Sequence, residues 1–357
     1  MNEFMRIGDI CDILNGYAFK SSKYVADGIR VIRITNVQKG FVEDTNPQYY
    51  PVSEQREIEK YMLCEGDLLM SLTGNVGRVG LLSAEMLPAA LNQRVACIRI
   101  RNPAVIYKPF LFHLLNSDYF ENKCILASQG VAQKNMSTEW LKEYPIPSFS
   151  MDKQMEIASI FDKIDDLIAR RKEQVRNMDQ AVKSRFIELF GDPETNPKGW
   201  TRERLDQICE NLDSRRVPIT STDRKAGNYP YYGASGIVDY VKDYIFDEDI
   251  LLISEDGANL VMRSTPIAFS VSGKVWVNNH AHVVRFESKA TQKYIEICFA
   301  LTDISGSITG TAQPKLNQAK LNAMMFCVPP IELQEQFATF VEQTDKSKLC
   351  GMMEVAA

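Results

Sequence analysis

Two short stretches resemble nucleotide-handling motifs, and each is interpreted more simply as structure. Asn46-Pro47-Gln48-Tyr49 resembles the Asn-Pro-Pro-Tyr active-site motif of adenine methyltransferases, but its third residue differs. No glycine-rich dinucleotide-type loop precedes it after a strand. The segment Gly74–Gly80 resembles a phosphate-binding loop, yet it lacks the Lys-Ser/Thr ending and no clear helix follows, which favours a turn.

Histidines and carboxylates near positions 255 and 280 form the other candidate group. His280 and His282 are two residues apart, which on a strand would place both side chains on one face. Because no third ligand lies near them in the sequence, a partly buried or DNA-facing histidine is favoured over a metal site. Glu255 and Asp256 lack a lysine at nuclease spacing, which favours a capped turn. The sequence therefore predicts no catalytic residue and no metal site.

The stretch from Met151 to Phe190 is the element around which the chain is organised, since it contains no Gly or Pro. Eight of ten heptad positions are apolar, and such a repeat requires a partner helix. A helix of this length would span about 60 Å, and Gly191 and Pro193 would end it. A long core helix and a spacer between two domains are both open interpretations. The residues predicted to pair are Ile157, Phe161, Ile164, Ile168, Val175, Met178, Val182 and Leu189, with Phe337 and Val341 from the C-terminal segment.

The composition is that of a globular chain of 357 residues, 45% hydrophobic and 24% charged, which is enough for two or three domains. No apolar run approaches the roughly 20 residues of a membrane helix, and the N-terminus lacks the features of a secretory signal. The eight cysteines form no CxxC pair and are predicted to be buried thiols in a reducing cytosol. With a net charge of −5, any DNA contact must come from local basic patches.

An internal repeat divides the chain. Gly130-Val131-Ala132-Gln133 aligns with Gly310-Thr311-Ala312-Gln313, an offset of 310 − 130 = 180, and Gln154 aligns with Gln334 at the same offset. The apolar patterns predict strands at 28–35, 68–72, 94–100 and 249–254, a strand at the end of 276–285, and helices at 108–119 and 294–301. We therefore predict an α+β fold with two mixed α/β domains in tandem, related by pseudo-two-fold symmetry. The predicted segments are a first domain at 1–150, a long helix at 151–190, a second domain at 191–330 and a shortened C-terminal helix at 331–357.

Several motifs together resemble one protein family. Glu188-Leu189-Phe190-Gly191-Asp192-Pro193, followed by Asn196-Pro197-Lys198-Gly199-Trp200, resembles the central conserved region of type I restriction–modification specificity subunits. Gly66–Leu69, Gly16–Lys20, Tyr231–Gly236 and the doubled Gly-x-Ala-Gln match as well, so the resemblance covers nearly the whole chain. Each short motif is unspecific alone, but the central block and the repeat layout are specific together.

The resemblance implies a function without chemistry of its own. Each globular unit would be a target-recognition domain that reads half of a split DNA sequence, and the two long helices would pair as an antiparallel coiled coil between them. Adenine methylation with S-adenosylmethionine and DNA cleavage driven by ATP and Mg²⁺ would belong to partner methyltransferase and restriction subunits, with no cofactor bound by this chain. A cytoplasmic location follows. Two alternatives are the recognition part of a single-chain restriction–methylation enzyme and a degenerate or phase-varied copy that does not assemble.

Two domains on a rod of this length can occupy successive major grooves, about 34 Å apart. Because the domains differ in sequence, the half-sites should differ and the target should be non-palindromic. Cations in loops would contact phosphates and amides would contact base edges, although a solvated or turn-capping role is the simpler alternative for any one of them. The predicted DNA-binding residues are Lys20, Lys23, Arg78, Asn92, Gln93, Gln133, Lys134, Arg215, Asn259, Arg263, Asn278, Asn279, Gln313 and Lys315.

The C-terminal helix should be shorter than its partner. It can begin at Ile331, the sequence runs to Ala357, and the apolar pattern of this segment decays after Asp345. An antiparallel pair would then leave part of the longer helix uncovered, and uncovered apolar stripes bind other surfaces. We expect this stripe to dock on a second copy of the chain or on the methyltransferase subunits.

Overall fold

The computed structural model describes residues 4–128, 135–310 and 313–356, with side chains in the last helix described as far as Leu349. The chain divides into two compact units, Met1–Leu167 and Ile168–Ala357, and each has its own sheets and core. No helix in the described ranges is long and apolar enough to cross a membrane.

In its described residues, the first unit has ten strands and several short helices, which precede one long helix. The strands are β1 (Phe4–Arg6), β2 (Cys11–Asn15), β3 (Ile29–Ile32), β4 (Gly40–Phe41), β5 (Tyr49–Tyr50), β6 (Leu68–Ser71), β7 (Val79–Leu81), β8 (Ala89–Leu91), β9 (Val95–Ile100) and β10 (Pro145–Pro147). The helices are α1 (Ile7–Ile10), α2 (Gln55–Ile58), α3 (Lys108–Leu115), α4 (Asp118–Ala127), α5 (Thr138–Glu143) and α6 (Met151–Phe190), which crosses the boundary between the units.

The sheets of the first unit are built around fully buried strands. One sheet has the order β2-β9-β6-β7-β4, a second has the order β5-β3-β8, and β1 pairs with β10. Strand β6 is buried along its whole length because its sequence, Leu-Leu-Met-Ser, presents no charged side chain to either face. Strand β3 pairs antiparallel with β5 and parallel with β8. Helices pack against the larger sheet through Leu111, Phe120, Leu141 and Ala158.

The second unit repeats this plan. Its strands are β11 (Thr201–Arg204), β12 (Glu210–Asn211), β13 (Ala226–Gly233), β14 (Gly236–Val241), β15 (Phe246–Asp247), β16 (Ile250–Ser254), β17 (Ala268–Val271), β18 (Lys274–Val277), β19 (Ala281–Arg285) and β20 (Met325–Val328). Its helices are α7 (Leu205–Ile208), α8 (Asn259–Met262), α9 (Lys289–Leu301), α10 (Gln318–Asn322) and α11 (Ile331–Ala356).

Strand order confirms the predicted tandem repeat. The order β12-β19-β16-β17 reproduces β2-β9-β6-β7, β13 pairs parallel with β18 as β3 does with β8, and β11 pairs with β20 as β1 does with β10. The aligned glutamines also have the same role. Gln154 and Gln334 are buried, and each amide donates to the carbonyl five residues earlier, at 2.9 Å to Phe149 and 2.7 Å to Pro329.

The predicted elements agree with the structure except at some ends. The bounds of α6 are those predicted. The helix predicted at 108–119 instead ends at Leu115, because Ser117 begins α4 by accepting a hydrogen bond from the Phe120 N–H (3.2 Å). Strand β3 ends at Ile32 and not at residue 35, since the Asn36 side chain accepts the Arg33 N–H (3.0 Å) and turns the chain.

The block after α6 caps that helix. Gly191 has φ 77°, and a Cβ there would lie 2.6 Å from the Pro197 ring, so both its conformation and the close contact require glycine. The Lys198 ammonium donates to the carbonyls of Glu188 (2.8 Å) and Leu189 (3.0 Å), and the Trp200 indole N–H donates to the Phe190 carbonyl (2.9 Å). The central sequence block therefore satisfies the free carbonyls at the helix end.

Within the second unit, α11 runs antiparallel to the C-terminal part of α6. The Phe337 ring packs against Phe186 and Phe190 with centroids 5.5 Å apart, and Lys348 forms an ion pair with Asp179 (2.8 Å). As α11 advances from Phe337 to Lys348, its partners on α6 therefore recede towards the N-terminus of that helix. Val182, Phe337 and Val341 are buried in this pair.

The other α6 residues that were predicted to pair are less buried. Val175, Met178, Leu189 and Ile157 are half-buried. Further towards the N-terminus of α6 the apolar side chains are exposed, by 47% at Phe161, 43% at Ile164 and 36% at Ile168. Ile160 and Leu167 are also exposed, and we call residues 160, 161, 164, 167 and 168 the apolar stripe.

Candidate nucleic-acid interface

In the first unit, three chain segments meet where the central strands end. The Leu72 N–H donates to the Arg94 carbonyl (3.0 Å), and the Met136 N–H donates to the Leu72 carbonyl (2.9 Å). The Asn92 N–H donates to the Ile32 carbonyl (3.2 Å), which fixes the turn between β8 and β9. We call such a group of segments the strand-end edge, and in the first unit it comprises residues 72–73, 92–94 and 135–136.

The second unit forms the same edge with the same hydrogen bonds. The Glu255 N–H donates to the His280 carbonyl (2.9 Å), the Leu316 N–H donates to the Glu255 carbonyl (2.8 Å), and the Asn278 N–H donates to the Tyr232 carbonyl (3.0 Å). Its strand-end edge comprises residues 255–256, 278–280 and 315–316. The two edges share a backbone plan but carry different side chains.

The asparagine of each edge shapes a turn. The Asn92 carboxamide oxygen accepts the Arg94 N–H (3.2 Å), and the Asn278 oxygen accepts the His280 N–H (2.8 Å). In both turns the asparagine side chain bonds the backbone two residues further on, which is an Asx turn. Gln93 and Asn279, the middle residues of the two turns, are both exposed and are accessible to a ligand.

A cleft of about 660 Å³ lies beside the edge of the second unit. Asn278, Asn279 and His280 line one side, and the turn between β13 and β14 at Ala234–Ser235 lines another. Arg224 also lines the cleft; its guanidinium lies 4.4 Å from the centroid of the Tyr231 ring and pairs with Asp239 (3.3 Å). The cleft therefore offers amide, hydroxyl and cationic groups together, which are the types that read base edges and phosphates.

Two predicted residues of the second unit are bound within the protein. Asn259 accepts the Thr265 N–H (3.0 Å) and donates to the Thr265 carbonyl (3.1 Å), which closes the loop after α8. Arg263 donates to the carbonyls of Phe299 (2.9 Å) and Thr302 (2.7 Å) at the end of α9. These groups cap structural elements, although Asn259 also borders the cleft.

Other predicted cations have partners in the structure. Lys23 pairs with Glu54 (2.6 Å), and Arg215 pairs with Glu248 (2.7 Å). A phosphate would have to compete with these partners. Lys315 pairs with Glu255 (3.0 Å) and Arg78 donates to Gln38 (2.8 Å).

The rest of the predicted set is exposed or lies outside the described ranges. Lys20 and Gln313 are exposed. Gln133 and Lys134 lie outside the described residues and immediately precede Asn135, a member of the first edge.

A buried ionic network supports the second edge. His282 has both ring nitrogens at acceptors, with Nδ1 2.6 Å from Asp213 Oδ2 and Nε2 2.7 Å from the Leu316 carbonyl. A carbonyl only accepts, so Nε2 carries a proton, and Nδ1 donates to the carboxylate. Burial alone would raise the pKa of Asp213, but the hydrogen bonds from His282 and from the Val283 N–H (2.8 Å) hold it below its usual value.

The same network holds a second carboxylate. Burial would raise the pKa of Glu255, but its hydrogen bonds with Arg216 (2.6 Å) and Lys315 (3.0 Å) lower it. Asp213, Glu255 and His282 have the residue types of a metal site, but Arg216 already pairs with both acids and Lys315 pairs with Glu255. Electrostatics thus favours a structural network over a metal centre.

The sequence predicted that His280 and His282 would share one face of a strand, and this is wrong. His282 lies in β19 and is fully buried, whereas His280 lies in the turn before that strand and is exposed. The His280 Nδ1 faces the carboxylate of Asp256, at 2.8 Å and 3.0 Å from its two oxygens. The Asx turn at Asn278 explains the difference, because it delays the start of the strand.

Sequence reasoning did not select two cationic residues of this region. Arg94 is exposed at the first edge, at the place that His280 occupies in the second, and Arg224 lines the cleft. Counting two residues from the asparagines at the ends of β8 and β18 would have paired Arg94 with His280. Arg224 had no comparable signal, and the sequence indicated Asp256 only as part of a capped turn.

The motif-like stretches have structural roles. Asn46 has φ 53°, the Gln48 amide donates to the Pro47 carbonyl (2.9 Å), and Tyr49 enters β5, which is a turn followed by a strand. The segment after β6 that resembled a phosphate loop is the turn of the β6–β7 hairpin. Burial raises the pKa of the Cys11 and Cys124 thiols to about 12, as expected of interior cysteines.

Comparison with known proteins follows the duplicated plan. The model of the "Type I restriction modification DNA specificity domain" matches residues 2–177 and again 197–349. The chain belongs to this family. The two matches fall on the two repeats, so each repeat is one copy of the specificity domain.

Relatives and solved structures agree. A putative type I restriction enzyme specificity subunit of Haemophilus influenzae is 32% identical over 39% of this chain and 35% of that protein. The EcoAI specificity subunit of Escherichia coli is 32% identical over 46% of the chain and 28% of its own length. The chain thus spans about a third of the length of these curated relatives.

The MjaIX specificity subunit of Methanocaldococcus jannaschii is 22% identical over 80% of this chain and 72% of its own. The crystal structure of the type I restriction–modification S subunit from M. genitalium has a TM-score of 0.55 at 14% identity, covering 99% of this chain and 91% of that one. The similarity to a solved S subunit supports the specificity-subunit fold.

Proposed function

We propose that this chain reads a split, non-palindromic DNA target, with each unit contacting one half-site through its strand-end edge. The main support is the repeated strand-end edge, where the same backbone hydrogen bonds hold segments that carry different side chains in the two units. A fixed scaffold with variable polar groups is what two different half-sites require, because base edges are distinguished by donor and acceptor pattern.

The contacts divide between direct reading and positioning. The exposed amides of Gln93, Asn279 and Gln313 would meet base edges, whereas Asn92 and Asn278 hold the turns that carry their neighbours. Lys20 would contact a phosphate. Gln133 and Lys134 would contribute from the segment next to Asn135. Phosphate contacts from the paired cations Lys23, Arg78, Arg215 and Lys315 would exchange with their present partners, so binding should weaken steeply with salt.

The chemistry would belong to partners. We propose that the chain itself is not catalytic, that it binds no cofactor, and that it positions methyltransferase subunits using S-adenosylmethionine and restriction subunits using ATP and Mg²⁺ in the cytoplasm. The apolar stripe of α6 is the surface proposed for docking.

Methylome sequencing tests the proposal. Strains with and without the chain, in the presence of its partner genes, should differ at one bipartite adenine-methylated motif. Restoring the chain from a plasmid should restore that motif, and an identical methylome in both strains would contradict the proposal.

A further inference from the structure

We propose that Arg94 in the first unit and His280 in the second are specificity-determining residues, and that Asp256 is the residue that positions His280. This inference rests on the proposed function and adds which side chains distinguish the bases in each half-site.

The two residues occupy equivalent backbone positions. Each follows its Asx-turn asparagine by two residues, and each accepts a backbone hydrogen bond from the end of the central strand, at 3.0 Å from Leu72 and 2.9 Å from Glu255. Both side chains are exposed, with 51% of the His280 side chain accessible. Each unit therefore exposes a side chain at the same backbone position, and the residue type at that position differs between the units.

The neighbouring residues differ in a matching way. Thr73 and Asp256 are equivalent, because Thr73 forms an isolated β-bridge with Asn135 at the first edge and Asp256 forms one with Lys315 at the second. The Thr73 hydroxyl donates to the Asn135 carboxamide oxygen (2.9 Å) and adds no charge beside Arg94. Asp256 instead places a carboxylate against the ring of His280, 2.8 Å from Nδ1.

This contact decides which ring nitrogen faces a ligand. A carboxylate accepts, so Nδ1 of His280 carries the proton that it donates to Asp256. In the neutral ring Nε2 is then an acceptor, and it would accept from the exocyclic amino group of adenine or cytosine. Arg94 has only donors and would pair with the O6 and N7 acceptors of guanine. For a neutral His280 ring, this geometry assigns an amino-bearing base to one half-site, and Arg94 assigns guanine to the other.

Exchange of the paired residues tests the assignment. The full-length chain and its variants are allowed to bind a library of randomised duplexes at fixed salt, and the bound sequences are determined. His280→Arg with Asp256→Thr should change one position of one half-site from adenine or cytosine to guanine by roughly tenfold or more. The reciprocal change, Arg94→His with Thr73→Asp, should reverse the preference at one position of the other half-site.

Single variants separate positioning from folding. Asp256→Ala should blur the preference at the same position as the His280 change, while Asp256→Asn, whose oxygen still accepts from Nδ1, should retain most of it. Lys242→His, an exposed change just beyond the end of β14, should leave both half-sites unaltered. An unchanged base preference in both exchanged pairs would overturn this inference alone. A wild-type chain with no preferred sequence would overturn the proposed function as well.

Discussion

At the residue scale, the buried network of the second unit couples stability to the strand-end edge. Asp213 and His282 are almost fully buried, and Leu316, which accepts from His282, belongs to the strand-end edge. Asp213 therefore holds β19 through His282 and the Val283 N–H, and His282 in turn links β19 to the segment at 315–316. At the first edge, within the part of the chain that the structure describes, the apolar Leu72 stands in place of Glu255.

Asp213→Asn should lower the free energy of unfolding of the second unit by about 3–5 kcal/mol at pH 7, because it leaves buried cationic partners uncompensated. Since the pKa of Asp213 is lowered on folding, its contribution is present above the ordinary value near 4 and is lost as the pH falls through the lowered value. Urea unfolding monitored by hydrogen exchange of residues 281–285 measures both effects. Glu287→Gln, an exposed carboxylate change, is the control, and equal stability of the two variants would refute the network's role.

Residue types were predicted better than residue roles. Asn92 and Asn278 stand at equivalent edges, and the sequence indicated them because each precedes a recognisable apolar strand. The capping role of Arg263 was hidden, since its acceptors, Phe299 and Thr302, lie far away in the chain. Local sequence does not specify such tertiary hydrogen bonds.

At the element scale, the long helix α6 is covered unequally. Phe186 and Phe190 are buried against α11, whereas Phe161 and Ile164 are exposed. The exposed end also borders an apolar groove lined by Phe110 and other side chains of the first unit. Heptad periodicity predicted apolar pairing positions along the whole of α6. It could not show which helical turns have a partner, because pairing depends on where the second helix lies.

The apolar stripe should make the chain self-associate at micromolar concentration, with a second copy covering it. Ile164→Asp should restore a monomer in light scattering, since burying one such side chain contributes roughly 1.5–3 kcal/mol. Ala169→Asp adds the same charge at an exposed position of α6 outside the stripe and should leave association unchanged. A monomeric wild-type chain would contradict this prediction. Val182→Asp should instead disrupt the α6–α11 pair, because Val182 is buried there.

At the scale of the whole molecule, the duplication is a shared scaffold with variable insertions. Asn92 corresponds to Asn278, Leu72 to Glu255 and Met136 to Leu316, and these pairs do not share one offset along the chain. Only the last pair has the offset that the sequence revealed. A constant offset could be detected in the sequence. The pairs with other offsets could be matched only from their backbone hydrogen bonds, because the intervening loops differ in length while the strands keep the same pairing.

The purified chain should transfer no methyl group. Incubation with labelled S-adenosylmethionine and DNA should leave the DNA unlabelled, since the Asn46–Tyr49 stretch departs from the methyltransferase motif and forms a turn that leads into β5. As a control, adding the partner methyltransferase subunit should produce labelling, which would show that the DNA is a competent substrate. Incorporation by the chain alone would contradict the accessory role.

The two units should read their half-sites independently, because each edge is built from its own unit's backbone. Gln93→Ala should weaken binding by about 1–3 kcal/mol for duplexes with an intact first half-site and should not change discrimination at the second, and Asn279→Ala should do the opposite. Competition binding at fixed salt, with duplexes altered in one half-site at a time, measures these differences. Gln180→Ala, an exposed amide on α6, controls for amide loss away from the edges. If each edge variant weakened discrimination equally at both half-sites, the units would be coupled and modular reading would be wrong.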